Sequence, residues 1–145
     1  MRALGLLHRM FMNTEMVLVT VISSLLSGMI GVVISFVFYA KLEKRKLKLE
    51  TAKKLFGSRH DISGNTFKDA LNEVMIVFSD SQNVIDKIEA FFNIVTTPIQ
   101  SRAQGASDEA LIKLMKAICD DLKIKYKSLP ESYFLKFFSV PSQKT

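Results

Sequence analysis

The chain has 145 residues, and its 20 Lys and Arg against 14 Asp and Glu give a net charge of +6 at pH 7. This length allows one compact domain together with one further segment. Two His and one Cys are too few soft ligands for a zinc-type centre, and the sequence has no Walker phosphate loop, G-x-S-x-G elbow or H-E-x-x-H helix. We therefore expect no metal, no cofactor and no enzymatic activity.

Residues 16–40, "MVLVTVISSLLSGMIGVVISFVFYA", contain no charged side chain. This stretch is longer than the ~20 residues that cross a ~30 Å hydrocarbon core, so it predicts a transmembrane helix. The apolar run continues directly into Lys41 without a small-residue cleavage site, which favours a retained anchor over a cleaved signal peptide. Residues 1–15 are too short to span by themselves. They are interpreted as a flexible tail, an interfacial turn or an extension upstream of a start at Met12.

The charges that flank the span are distributed unequally. Seven Lys and Arg fall within residues 41–54, against Arg2 and Arg9 before the span. The positive-inside rule then predicts a single-pass protein of the inner membrane with its C-terminal part in the cytoplasm. The lone Cys119 fits a reducing compartment, and its helical spacing predicts a buried small side chain. Residues 41–48 have the composition of a segment that binds anionic lipid headgroups.

Beyond the span, the apolar spacing is helical throughout. Residues 41–56 predict a stiff basic connector that continues the membrane helix and ends at Gly57. Thr66 is the predicted cap of a second helix, a third begins within "SDSQ" and ends before Pro98, and Ser107 is the predicted cap of a fourth that reaches about Tyr126.

The tail from residue 129 is apolar enough for a last short helix that packs against the others. No pair of strands is indicated. The predicted fold is therefore all-α, with a single N-terminal transmembrane helix continuing into a cytosolic helical bundle. Within it, residues 57–145 form the ligand-binding domain.

Small residues recur along the span at steps of three and four. Close packing along such a stripe favours association of helices in lipid. Simple tolerance of small residues in a lone anchor is the alternative, and a polar lining of a conducting path in an oligomer is another use of the same stripe. The predicted association residues are Ser24, Ser27, Gly28, Gly31 and Ser35, with Thr20 on the same side.

The stretch "LFGSRHDISGN", residues 55–65, gathers polar and basic side chains around two glycines. Glycine permits close backbone approach, the Arg59 guanidinium can bind phosphate, His60 can stack on a base, and Asn65 can read a base edge. The alternative is an ordinary turn between helices in which Asp61 pairs with Arg59. The candidate ligand-binding residues are Arg59, His60, Ser58, Asn65, Lys53, Lys54 and Lys68.

In layout, length and its "FGSRHDISGN" region, the chain resembles the small membrane-anchored effectors of type III CRISPR systems. The resemblance implies antiviral defence by a cytosolic domain that binds a cyclic oligoadenylate, commonly the tetra-adenylate, and perturbs the bilayer on activation. It also implies a homo-oligomer, expected to be a tetramer, and we expect no duplex nucleic acid as partner.

Two other functional classes remain open from the sequence. The first is a non-enzymatic anchor or scaffold at the inner membrane that recruits a protein partner through its aromatic tail, residues 133–138. The second is a nuclease or nucleotide hydrolase that uses His60 and Asp61.

Overall fold

The computed structural model describes residues 2–136, with side chains from residue 14 onward. Five α-helices and one 3-10 turn follow one another in this part of the chain, which contains no strand, so the prediction of an all-α fold is confirmed. The helices are α1 (Arg2–Gly57), α2 (Asn65–Val77), α3 (Gln82–Thr96), α4 (Ala106–Asp121) and α5 (Ser132–Leu135), with the 3-10 turn at Ile99–Ser101.

The chain divides into two compact units, Met1–Glu43 and Lys44–Thr145. Within the first unit, the described residues 2–43 all belong to α1. Its large apolar side chains between residues 16 and 39 are 46% to 73% exposed, and the helix is long and apolar enough to cross a membrane. α1 begins at Arg2, ahead of the predicted start at residue 16, so the preceding segment is helical.

The core of the second unit combines side chains from all of its helices. The end of α1 contributes Ala52 and Leu55, at 2% and 0% exposure. The predicted connector therefore does not stand free between two domains, because its C-terminal half is a core helix of the bundle. The largest fully buried apolar side chains are Leu55, Phe67, Val74, Phe78, Val84, Phe91, Leu111, Leu114, Met115 and Ile118.

Two predicted helix caps are wrong. The N-cap of α2 is Gly64 and not Thr66, and the N-cap of α4 is Gly105 and not Ser107; neither makes a side-chain hydrogen bond. Gly105 has a φ of 77°, a left-handed conformation that glycine adopts without a steric penalty. Thr66 and Ser107 were the predicted caps because their hydroxyls can accept a hydrogen bond from an amide of the first turn. In the structure a backbone turn begins each helix two residues earlier.

Helix α4 ends at Asp121, about five residues before the predicted end. Lys123 has a φ of 56°, and the amide of Ile124 donates to the carbonyl of Cys119 at 2.8 Å. These are features of a Schellman ending, here with Lys in the position that glycine usually takes. Cys119 is buried as predicted, and burial raises the pKa of its thiol to about 11.

The predicted final helix is present as α5, which packs on α4. Phe134 is 7% exposed and meets the Tyr126 ring edge to face, with 5.8 Å between the ring centroids. Tyr133 is 53% exposed. The predicted aromatic tail is thus divided between core and surface, and Phe137 and Phe138 lie outside the described residues.

Because the end of α1 is buried in the bundle, we expect substitutions of two leucines in that helix to change the free energy of unfolding by very different amounts. Leu55→Ala should lower the free energy of unfolding of the second unit by about 2 to 5 kcal/mol, since it removes a fully buried side chain. Leu47→Ala, at a position 52% exposed, should change it by less than about 1 kcal/mol. The measurement is denaturant-dependent labelling of Cys119, the single thiol, in full-length protein. Equal effects would contradict the packing of α1.

Candidate functional site

The end of α1, the turn that follows it and the start of α2 enclose a cleft of about 370 Å³. Five of the seven predicted ligand-binding residues line it: Lys53, Lys54, Ser58, His60 and Asn65. The remaining lining residues are Gly57, Asp61, Gly64, Thr66 and Phe67. The sequence thus identified most of the polar wall of this cleft.

Short-range hydrogen bonds shape the turn between the two helices. The Ser58 hydroxyl donates to the Lys54 carbonyl at 2.7 Å, the Asp61 amide donates to the Ser58 carbonyl, and the Gly64 amide donates to the Asp61 carbonyl, each of the last two at 3.0 Å. A Cβ atom at Gly64 would overlap the Asp61 carboxylate. A side chain at this position would therefore require the Asp61 carboxylate to move.

The cleft has a mixed charge. The Lys54 ammonium donates to Glu73 at 2.8 Å, and this hydrogen bond raises the pKa of Lys54 and lowers that of Glu73. Lys53 is exposed and has no ion pair within the described residues, while Asp61 adds a carboxylate to the lining of the cleft. One unpaired ammonium is therefore available to an anion, beside the imidazole of His60 and the amide of Asn65.

Two of the predicted ligand-binding residues do not line the cleft. The Arg59 guanidinium donates to the backbone carbonyls of Phe56 and Lys136, and its buried Nε has no partner. It therefore ties the turn to the chain after α5, and it makes no ion pair with Asp61. Lys68 is exposed on α2, outside the cleft.

A buried ion pair that the sequence did not reveal lies on α1. The Lys48 ammonium is 2.8 Å from Asp80 Oδ1 and 2.8 Å from Asp121 Oδ2, and 5.0 Å from the centre of the Phe78 ring. Lys44 also contacts Asp80, at 3.0 Å. Lys48 is 7% exposed, so it belongs to the bundle and not to the predicted headgroup-binding run. We will call Lys48, Asp80 and Asp121 the lysine clasp.

The pKa values in the lysine clasp follow from these contacts. Burial lowers the pKa of Lys48, but its hydrogen bonds to Asp121 and Asp80 outweigh burial, and the net shift is upward. Hydrogen bonds from Lys48 and Lys44 hold the pKa of Asp80 at about 2. Lys48 and Asp80 are therefore both charged at neutral pH. No group of three or more His, Cys, Asp or Glu within the described residues could hold a metal ion.

Helices α2 and α3 leave an apolar groove of about 460 Å³ on their outer side, lined by Leu71, Asn72, Met75, Ile85, Ile88, Glu89 and Phe92. Phe92 lies on this groove and is 59% exposed. Adjacent residues on a helix point in directions about 100° apart, and it is Phe91, 1% exposed, that faces the core and contacts Phe67.

All of the predicted association residues in the span are exposed. The Ser24 hydroxyl donates to the Thr20 carbonyl, and the Thr20 hydroxyl to the Met16 carbonyl, each at 2.8 Å. The space beside Gly28 and Gly31 is open, with nothing within 4 Å of an added Cβ. The stripe is therefore available to a neighbouring helix.

Comparison with known proteins gives one family. A sequence profile described as "Family of unknown function (DUF6680)" matches residues 11–131, which include the span, the cleft and the lysine clasp. Searches of curated proteins and of solved structures give no significant match.

The lysine clasp predicts that Lys48 stabilises the second unit and that its neighbour Lys46 does not. Lys48→Ala leaves two carboxylates without their shared cation, and we expect a loss of about 1 to 3 kcal/mol of unfolding free energy at pH 7. Lys46→Ala, at an exposed position, should be nearly neutral. Thiol-labelling stability measurements on full-length protein compare the two.

The same comparison has a defined pH dependence. The pKa of Asp80 is about 2 in the fold and about 3.9 in an unfolded chain, so its stabilisation is present above roughly pH 4 and is lost as the pH falls towards 2. The difference between wild type and Lys48→Ala should therefore shrink over this range. A difference that stays constant down to pH 2 would show that Lys48 stabilises by packing alone.

Proposed function

The chain belongs to the DUF6680 family, and we propose that it is a single-pass membrane protein whose helical unit binds a phosphate-bearing ligand on the cytoplasmic side. The observation that carries the proposal is the collection of five predicted ligand-binding residues in one cleft, at the end of the same helix that is apolar enough to cross a membrane.

The membrane assignment is supported by the exposure of the first unit. None of the most apolar window of α1 is buried, whereas the second unit has a core of its own. Exposed Leu, Ile, Val and Phe side chains along a whole helix are unfavourable in water. In a hydrocarbon core the same exposure is favourable. The excess of Lys and Arg after residue 40 supports a cytoplasmic location for the second unit.

The size and charge of the cleft indicate the kind of ligand. Its volume of about 370 Å³ lies at the lower end of the range for small-molecule sites and suits a single nucleotide unit. One unpaired ammonium matches the single charge of a phosphodiester better than the several charges of a triphosphate. His60 and Asn65 offer stacking and hydrogen bonding to a base. A nucleotide with one phosphate per unit, as in an oligonucleotide, fits this arrangement.

We extend the proposal to a cyclic oligonucleotide, with cyclic tetra-adenylate as the first candidate from the resemblance to type III CRISPR effectors. A ring of four identical units exceeds one cleft, so a symmetric tetramer would share it, each copy holding one unit. The open stripe at Ser27, Gly28, Gly31 and Ser35 supports self-association of the spans. A ligand that binds one arrangement of the spans more tightly than another would shift the population towards that arrangement and so perturb the bilayer. The difference between the two affinities limits the size of this shift.

A scaffold that recruits a protein partner is the second candidate function. The apolar groove between α2 and α3 favours it, because Met75 and Phe92 are 50% and 59% exposed beside one another on the walls of that groove. Contiguous apolar surface of this kind marks interaction sites. In this function the groove, and not the divided aromatic tail, would hold the partner.

Ligand binding is tested with two lysines that the sequence could not distinguish. Lys53→Gln should weaken a phosphate-bearing oligonucleotide by about 1 to 3 kcal/mol, because a charge-assisted hydrogen bond is lost. Lys68→Gln has the same change in charge but lies outside the cleft, and should bind as wild type. Affinities are measured with full-length protein in detergent against cyclic and linear oligoadenylates. Absence of binding in the wild type would leave the cleft as a helix turn and favour the scaffold.

Membrane topology is tested with two introduced cysteines. A membrane-impermeant maleimide added to intact cells should label Glu15→Cys, before the span, and should not label Ser128→Cys, on the exposed surface of the second unit. The buried Cys119 gives a low background. The reverse labelling would place the second unit outside the cytoplasm, and recovery of the protein in the soluble fraction would exclude the anchor.

A further inference from the structure

The chain after α4 forms an exposed basic loop, which we call the KIKYK loop, residues 123–127. The Schellman ending at Lys123 turns the chain away from α4, and Lys123, Lys125 and Lys127 are all exposed. A shallow groove of about 450 Å³ runs along residues 120 and 123–128. Ile124 lies between the lysines and is 39% exposed.

The KIKYK loop is held at a fixed place on α1. The Lys48 ammonium contacts Asp121 at 2.8 Å, and the Arg45 guanidinium donates to the Leu122 carbonyl at 3.5 Å. Arg45 follows the last uncharged residue of the span by five positions, about 7.5 Å along a helix. The loop therefore begins beside Arg45, and Arg45 follows the end of the span by about one and a half helical turns.

The acidic groups near this loop are already engaged. Asp121 is paired with Lys48, Asp80 with Lys48 and Lys44, and Asp120 accepts a hydrogen bond from the Tyr126 hydroxyl at 3.0 Å. None of the lysines of the KIKYK loop makes an ion pair within residues 14–136.

Tyr126 also holds the loop in a defined conformation. The Tyr126 ring packs edge to face on Phe134, and its hydroxyl is bonded to Asp120. Tyr126 therefore fixes the C-terminal half of the loop, and Lys125 and Lys127 on either side of it remain exposed. Long lysine side chains with an exposed apolar residue between them are suited to an interface, where ammonium groups contact headgroups and the apolar side chain enters the acyl boundary.

We infer that the KIKYK loop is a second membrane contact, which binds anionic lipid headgroups through Lys125 and Lys127 and inserts Ile124 at the headgroup boundary. The inference rests on the proposed membrane span. A lipid surface fits better than a soluble phosphate, because the three lysines follow one another at every second residue along the lining of an open groove. Clustered lysines beside a span are attracted to anionic lipid.

The test uses the absence of tryptophan from the chain. Full-length Ile124→Trp is placed in nanodiscs of phosphatidylcholine alone or mixed with phosphatidylglycerol. We expect a blue-shifted emission, quenched by brominated acyl chains, in the mixed nanodiscs, and a weaker effect in phosphatidylcholine alone. Equal emission and quenching in both would overturn the inference. A change produced in phosphatidylcholine nanodiscs by added inorganic phosphate or oligonucleotide would assign the loop to a soluble anion instead.

Matched lysine substitutions in the Ile124→Trp background complete the test. Lys125→Gln with Lys127→Gln should reduce the quenching several-fold, whereas Lys87→Gln with Lys113→Gln, the same change in charge on α3 and α4, should leave it unchanged. Equal loss in both pairs would indicate a general charge effect and contradict a specific loop. Resistance of Cys119 to thiol reagents confirms that each variant is folded.

Failure of this inference and failure of the membrane span are distinguishable. If the span is correct, all variants remain in the membrane after carbonate extraction, and only the tryptophan signal decides on the loop. If carbonate extracts the protein, the span is wrong, and nothing then places the KIKYK loop near lipid.

Discussion

The lysine clasp fixes the position of α1 in the bundle, and the locations of the other features follow from it. Asp80 lies in the turn between α2 and α3, and Asp121 is the last residue of α4, so one ammonium connects three parts of the chain that are distant in sequence. A partly buried charge of this kind is stabilised only while both carboxylates are present and oriented. The Phe78 ring beneath the ammonium limits its positions further.

From that fixed point, each turn of α1 has a different role. Arg45 holds the start of the KIKYK loop, Thr51 and Lys54 contact Glu73 on α2, and Leu55 fills the core. Lys53 makes none of these contacts and lines the cleft. One amphipathic helix therefore positions the loop, the core and the cleft, because residues three and four apart share a face while their neighbours do not.

The sequence predicted what depends on local patterns and missed what depends on distant partners. Helical spacing predicted the number of helices and the burial of Cys119, and glycine and polar clustering located the cleft. Lys46 and Lys48 have similar neighbours in the sequence. They differ because Lys48 contacts Asp80 and Asp121, which lie 32 and 73 positions further along the chain. Arg59 resembled a phosphate ligand, but one of the two carbonyls to which it donates belongs to Lys136, whose proximity the local sequence does not encode.

The contacts of Glu73 constrain how a ligand in the cleft could act on α1. Its carboxylate accepts from the Lys54 ammonium at 2.8 Å and from the Thr51 hydroxyl at 3.2 Å, and it thereby joins α2 to α1. A phosphate bound by Lys53 alone leaves this junction intact. A ligand with a second phosphate would compete with Glu73 for Lys54, since one ammonium cannot satisfy both anions without sharing its hydrogen bonds. In the proposed function, a ligand that brings one phosphate to the cleft would therefore only occupy the site, whereas a ligand that brings two would also weaken the contact between α2 and α1.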